Sequence, residues 1–429
     1  MQYGPKWRSI RKHSHALLNL TASTNYQPVQ DFESKVLLKQ LMQNPADFMS
    51  INRRYSASVI MQITYGYRIP SWDDPLIKRI YGVIDRFTVN TAPGAWAIDS
   101  FPALAALPQQ LFGNWRAHGQ KLFEQDSKVY LDLWNKLKQD TDAGVAKDCF
   151  TKTFYLNGPE KSGIDDLAAA YTCGGLIEAG SETTGSTLNN FVLCMVLFPE
   201  AQRRAQEELD RVVGRGRLPT WEDEERLPYV RSVIKEVLRW RPVNKFGMPH
   251  ASSEDDWYEG WFIPKGSVVV LNWWYVCCFL SRFPEWFLGI GWFADCCRAI
   301  HNDPDHWSNP SAFDPSRYLN HTASAAHYMN SPDPLERDHF TYGAGRRSCP
   351  GVHVAERSLF INVSRVLWGF NLNKKTGKDG KEVEVNTKME PGFMSVPEPF
   401  DCDIKPRSEA HAKIMREESE RAEREGLNY

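Results

Sequence analysis

Apolar residues recur at intervals of three and four along most of this chain, which predicts a largely helical protein. The clearest case is residues 46–65, where Phe48, Ile51, Tyr55, Val59, Ile60 and Ile63 fall on helical spacing. Similar spacing predicts helices over 30–43, 74–90, 115–138, 199–213 and 227–241. Residues 164–197 form the longest candidate; Ser162 and Asp165 make a capping-box pattern at its start, and Pro199 stops it. At 1.5 Å per residue it runs about 50 Å, enough to cross a whole domain. Strand signals come only later. Residues 257–262 and 267–271 flank Pro264-Lys265-Gly266, a turn with suitable residues, and 383–385 with 393–396 predict a small C-terminal sheet. Residues 406–426 read as a charged, solvated helix. The apolar, Pro-rich stretch up to Pro108, starting near Ala92, fits a packed loop and a substrate-access lid equally well. The fold class is mainly α with a minor β part, without an internal repeat.

Composition narrows the partners. A net charge of −2 argues against non-specific nucleic-acid binding. With 15 Trp, 16 Tyr and 22 Phe the chain can wall a large apolar pocket. Nine cysteines without paired spacing give neither a disulfide framework nor a zinc pattern. Cys149, Cys173, Cys194 and Cys402 read as buried or free thiols in a reducing compartment. A signal peptide and a run of 18 apolar residues are both missing, so no membrane anchor is expected in this chain.

The candidate chemistry centres on Phe340-Thr341-Tyr342-Gly343-Ala344-Gly345-Arg346-Arg347-Ser348-Cys349-Pro350-Gly351. One cysteine sits in a turn built from three glycines and a proline, just after two arginines. Glycines let a backbone bend sharply and approach a flat macrocycle closely. Arg347 can reach an anionic carboxylate, and backbone N–H groups of the turn can stabilise a sulfur charge. A bare Gly-rich loop with a free cysteine would need none of this detail. The string resembles the haem-binding signature of the cytochromes P450, with Tyr342 where phenylalanine is usual. The resemblance makes Cys349 the axial ligand of a haem iron (haem b) and implies the cytochrome P450 fold.

Ala179-Gly180-Ser181-Glu182-Thr183-Thr184 lies mid-way along the longest helix. Gly180 costs about 1 kcal/mol there relative to alanine, which suggests close approach of something flat, or a kink. Reductive cleavage of dioxygen consumes two protons, so an acid beside an alcohol is the required chemistry. The segment resembles the family's oxygen-activation motif, with Thr183 and Glu182 in the catalytic positions. Glu236 and Arg239 stand at i and i+3 on one helix face and resemble the family's Glu-x-x-Arg element. Phe313 to Tyr318 resembles its downstream partner, so Arg317 would close a charged, structural network that holds the loop before the cysteine. Trp7, Arg11, His250 and Arg347 match haem-propionate positions in resembling proteins. Val243 to Gly247, Phe393-Met394 and Ala179 resemble pocket-lining segments, and Lys245 is expected to point to solvent.

Two departures stand out. The resemblance covers one domain, residues 1–429, but starts at the helix holding Trp7, which implies an N-terminally truncated chain that folds poorly and loads little haem. Internally, Tyr275–Arg298 separates Trp274 from Ala299, which resembling proteins join directly. The stretch holds Cys277, Cys278, Cys296 and Cys297, and Arg282, Pro284 and Glu285 are expected to break any spanning helix. Its codons permit a splice donor at Trp-Tyr-Val, a branch site at Ala-Asp and an acceptor at Cys-Arg, and removal keeps the frame. An unspliced intron and a surface-loop insertion are the two readings.

The resemblance implies a haem-thiolate monooxygenase that inserts one oxygen atom from dioxygen into a small apolar organic substrate. Its electrons would come from NADPH through a separate NADPH-cytochrome P450 reductase, docked on basic residues such as Arg346 and Arg8. The look is of fungal secondary-metabolism members, an O-methylsterigmatocystin oxidoreductase-like group, whose intact forms sit on the endoplasmic reticulum membrane. The alternatives are a haem-thiolate isomerase or dehydratase, and a non-catalytic remnant.

Overall fold

The computed structural model describes residues 3–92, 95–272, 300–390 and 393–426. The suspected insert 275–298, with its four cysteines, lies outside the described residues. The main helices are α1 (Pro5–Leu18), α2 (Gln27–Gln43), α3 (Phe48–Tyr65), α4 (Pro75–Asn90), α5 (Trp115–Asp142), α6 (Asp166–Leu197), α7 (Pro199–Val212), α8 (Pro228–Trp240), α9 (Val352–Gly369) and α10 (Glu409–Glu425). The strands are short: β1 (His250–Ala251), β2 (Asp256–Tyr258), β3 (Trp261–Ile263), β4 (Val268–Val269), β5 (Phe370–Lys374) and β6 (Cys402–Pro406). They pair antiparallel as β1-β4, β2-β3 and β5-β6. Among the described residues no helix is long and apolar enough to cross a membrane.

The long helix α6 organises the core. Ala169, Ala170, Cys173 and Ile177 join one apolar cluster with α4 and α5. Leu188 to Val196 join a second with α2, α8 and α9. The polar motif around Glu182 lies between these two stretches. The most extensive helix pairing is α3 against α6. Glycines permit it: a Cβ on Gly180 would meet Ile60 at 2.6 Å, and one on Gly185 would meet the Arg53 backbone at 2.9 Å. The body approaching Gly180 is therefore a neighbouring helix.

Several local expectations change. Asp165 alone caps α6, accepting the Ala168 N–H at 2.7 Å. Ser162 ends a separate 3-10 turn, Pro159–Ser162, so no capping box forms. The run 257–262 is a hairpin, because Glu259 and Gly260 both take positive φ (48° and 84°) and reverse the chain. The C-terminal sheet uses β5 and β6, while 383–385 and 393–396 contribute at most isolated bridges such as Asn244 with Met394. The 406–426 segment is not solvated all round. Met415 packs under Gly369, and Lys35–Glu418 (3.2 Å) and Lys39–Glu423 (2.6 Å) tie α10 to α2. Its buried face of Ala412, Met415, Ser419 and Ala422 is masked in sequence by the surrounding charge.

Candidate functional site

The cysteine loop is a backbone-determined turn. The Gly343 N–H donates to the Phe340 carbonyl (2.7 Å) and the Cys349 N–H to the Tyr342 carbonyl (2.8 Å). Gly343 (φ 75°) and Gly345 (φ 66°) are left-handed, a conformation that other residues reach only with strain. Gly351 is the N-cap of α9, so Cys349 sits just ahead of a helix N-terminus, where a thiolate is favoured. Burial pushes the Cys349 thiol up, while the Gly351 N–H and the Arg11 guanidinium pull it down. The residue is half-buried and lines a cavity.

A buried network anchors that loop to α8. Both Glu236 oxygens accept from Arg239 at 2.7 Å, and Arg317 Nε lies 3.2 Å from the same carboxylate. Arg239 also donates to the carbonyls of His301 (2.7 Å), Pro310 (2.9 Å) and Ala312 (3.0 Å). His301 then carries the connection forward. Its Nδ1 meets the Arg239 carbonyl (3.1 Å) and its Nε2 accepts the Phe340 N–H (2.8 Å). Nε2 must therefore be the acceptor and Nδ1 the protonated donor, which requires a neutral ring. Burial holds it so, lowering its pKa well below the usual value. Thr341 Oγ1 adds a bond to the Leu238 carbonyl at 2.8 Å.

A cavity of about 320 Å³ opens beside the cysteine. Its wall includes Cys349, Arg347, Thr183, Ala179 and His250, and it is mostly apolar. Trp7 and Arg11 do not line it but stand at its margin. The Arg347 guanidinium lies 4.6 Å from the Trp7 ring centroid. Arg11 feels both Cys349 and Arg347, and burial, with the like charge of Arg347, lowers its pKa. Two guanidiniums held close to one another favour an anionic ligand. Val243, Asn244 and Gly247 line the cavity; Phe393 does not, and packs instead on Phe246 at 5.2 Å. Lys245 is half-buried and donates to the Glu390 carbonyl (2.7 Å), so it does not point to solvent.

The acid and alcohol of α6 face different ways. Thr183 lines the cavity and donates its hydroxyl to the Ala179 carbonyl at 2.6 Å. Glu182 is buried and turned toward α3, where Oε1 accepts from Arg53 Nη2 (2.9 Å), Arg53 Nε (3.2 Å) and Ser186 Oγ (2.6 Å).

Residues 1–282 and 296–403 match the family model for cytochrome P450. The chain belongs to the cytochrome P450 family. It is 46% identical to cytochrome P450 monooxygenase verL of Clonostachys rogersoniana, over 100% of this chain and 75% of that protein. It is 37% identical to cytochrome P450 monooxygenase virE of Hypocrea virens, over 96% of this chain and 71% of the relative. A solved zebra fish cytochrome P450 with progesterone superposes with a TM-score of 0.68 at 23% identity, covering 95% of this chain and 83% of that one, which establishes the fold.

The residues of this P450 fit a haem. A single cysteine sulfur ahead of a helix N-terminus faces an apolar cavity, with Arg11, Arg347 and His250 at hand for the two propionates. Among the described residues no other His, Cys, Asp and Glu cluster could hold a metal, and Cys149, Cys173, Cys194 and Cys402 are free thiols. Sequence reasoning missed His301 and Arg53. Neither carries a local signal; each is fixed only by partners far away in the chain.

Proposed function

We propose that this P450 oxidises a small apolar metabolite of fungal secondary metabolism, taking electrons from NADPH through a separate reductase. The observation that carries the reading is that Cys349 and Thr183, from distant parts of the chain, line one apolar cavity. The overall reaction is R–H + O2 + 2 electrons + 2 protons → R–OH + H2O. Bound haem supplies the centre at which dioxygen binds and is reduced. Cys349 would hold its iron through sulfur, with Arg11, Arg347 and His250 binding the propionates. The apolar wall, including Ile60, Leu176 and Leu271, excludes water and orients substrate. Thr183 presents a hydroxyl to the cavity, and Glu182 stores the proton that it passes on. Arg8 and Arg346, both close to the Tyr3 ring, offer positive charge to an acidic reductase surface. The relatives named above are monooxygenases, and neither a haem-thiolate isomerase or dehydratase nor a remnant draws support from them. The test is a purified, haem-loaded chain with a fungal reductase. NADPH and dioxygen consumption should yield a product heavier by one oxygen atom, and turnover of substrate without NADPH would overturn the reading.

We further propose that 275–298 is absent from the mature protein. The Ile300 N–H donates to the Asn272 carbonyl at 2.9 Å. With Tyr275–Arg298 removed, these two residues stand at i and i+4, the spacing of a helical hydrogen bond. The family match also skips residues 283–295. Deleting 275–298 is expected to raise the yield of folded, haem-loaded protein. If every mature transcript keeps the stretch and the deletion lowers haem content, it is an insertion that the protein uses.

A further inference from the structure

A second cavity, of about 260 Å³, lies where the end of α2, the start of α3 and residues 71–73 meet. It shares no lining residue with the cavity beside Cys349. Arg54 and Ile51, both buried, line it with the half-buried Gln40 and Trp72, while Asn44, Asp47 and Asp73 form an exposed rim.

The polar groups of this cavity are the ones that the fold itself leaves unused. Arg54 is 1% exposed. Its Nη1 pairs with Glu33 Oε2 and reaches the Ile69 carbonyl at 3.4 Å, and its Nη2 reaches the Glu33 carbonyl at 3.5 Å. Glu33 is held in turn by Ser58 (2.9 Å), Gln62 (3.0 Å) and Arg68 (2.9 Å), which fixes the guanidinium in place. Arg54 Nε remains, buried and without a hydrogen-bond partner. Gln40 Oε1 is likewise buried without a partner. A buried donor and a buried acceptor left open are costly unless a ligand meets them. Asn44 and Asp47 stand at the N-caps of the 3-10 turn Pro45–Asp47 and of α3, where such side chains ordinarily accept an N–H of the first turn. Neither makes that bond, so the amide and the carboxylate both stay available at the rim.

The donors and acceptors select the ligand. The carboxylates of Asp47 and Asp73 disfavour an anion. An ammonium group has no lone pair for the Arg54 Nε–H. Among the described residues no cluster of His, Cys, Asp and Glu could hold a metal ion. A hydroxyl both accepts and donates, so neighbouring hydroxyls can take the Arg54 Nε–H and give to Gln40 Oε1 and Asp47. The Trp72 indole offers an apolar surface on which the C–H face of a ring can lie. The volume is below the range that drug-sized ligands fill and suits one such ring. We propose that this cavity binds a pyranose sugar, apart from the oxidation site, with Arg54, Gln40 and Asp47 reading its hydroxyls and Trp72 carrying its C–H face.

The test uses the haem-loaded full chain with phenylimidazole bound at the haem, so that the cavity beside Cys349 is occupied. Saturation-transfer NMR is run with the methyl glycosides of glucose, galactose and mannose. At least one should give a saturable signal, strongest on the C–H protons of one ring face. Gln40→Leu should weaken that sugar about tenfold, because a hydroxyl loses its acceptor. Trp72→Ala should abolish the signal, and in both variants the haem content and the carbon-monoxide band should stay those of the parent protein. Silence from all three glycosides overturns the inference. Unchanged affinity in Gln40→Leu also overturns it, because the sugar then sits elsewhere. Choline and methyl phosphate serve as the cationic and anionic probes, and saturable binding of either one that Gln40→Leu weakens would show that the cavity selects charge and not hydroxyls. If Trp72→Ala does not fold, Gln40→Leu decides alone, since its side chain is close in size to the one it replaces and lies outside the Arg54–Glu33 pair.

Discussion

Cys349→Ala is expected to leave a folded protein that shows no haem-thiolate absorbance with carbon monoxide and no turnover. The loop is held by groups other than the sulfur. The Cys349 N–H still donates to the Tyr342 carbonyl, the Phe340 N–H still reaches His301, and Thr341 still bonds α8. Losing Sγ therefore costs little stability, because the side chain is small and only half-buried. Its loss nonetheless removes the one cysteine sulfur among the described residues that line the cavity. The measurement is a carbon-monoxide difference spectrum beside a thermal melt of the same sample. Retention of the thiolate band would show that another residue binds the metal and would undo the site assignment. A melt lowered by many degrees would show that the loop depends on sulfur packing after all.

The second large effect is expected at Arg239. Its guanidinium is fully buried and bonded to Glu236 and to three backbone carbonyls. Arg239→Leu leaves the Glu236 carboxylate buried, with only Arg317 and the Asp314 N–H to meet it. Removing one partner of such a pair costs about 3–5 kcal/mol. The damage should also travel through His301 to Phe340, so haem content should fall along with thermal stability. A double variant, Glu236→Leu with Arg239→Leu, should lose less than the sum of the two single changes, because no buried carboxylate is left short of its cation and Arg317 keeps its bonds to the Ser308 and Ala312 carbonyls. Arg317→Leu should be milder, since Arg317 meets the carboxylate through Nε alone, 3.2 Å from each oxygen. Strict additivity in the double variant would show that the two residues act independently and that the network does not hold the loop.

The particular residues show how far local information reaches. Cys349 was legible because its turn is encoded in consecutive residues: the glycines that must take positive φ stand beside the sulfur they position. Glu236 and Arg239 were legible because i and i+3 neighbours meet on any helix. The hairpin of β2 and β3 was misread because Trp257 to Phe262 is apolar on both sides of Glu259-Gly260, which hides the reversal. The packed face of α10 was misread because its buried residues are few and small among many charges. His301 and Arg53 carried no signal, since a lone histidine or arginine looks the same whether solvated or locked in place.

The sequence by itself determined the helical framework, the glycine-rich turn that carries Cys349 and the adjacency of Glu182 and Thr183, because each depends on residues a few positions apart. Only the tertiary structure decided that Thr183 faces the cavity while Glu182 faces Arg53, and that His301 ties α8 to the cysteine loop. Those arrangements arise where α3 meets α6 and where the 300–318 segment crosses α8. Contacts between residues so distant in the chain are chosen by packing and by the need to pair every buried charge, and no local spacing encodes them.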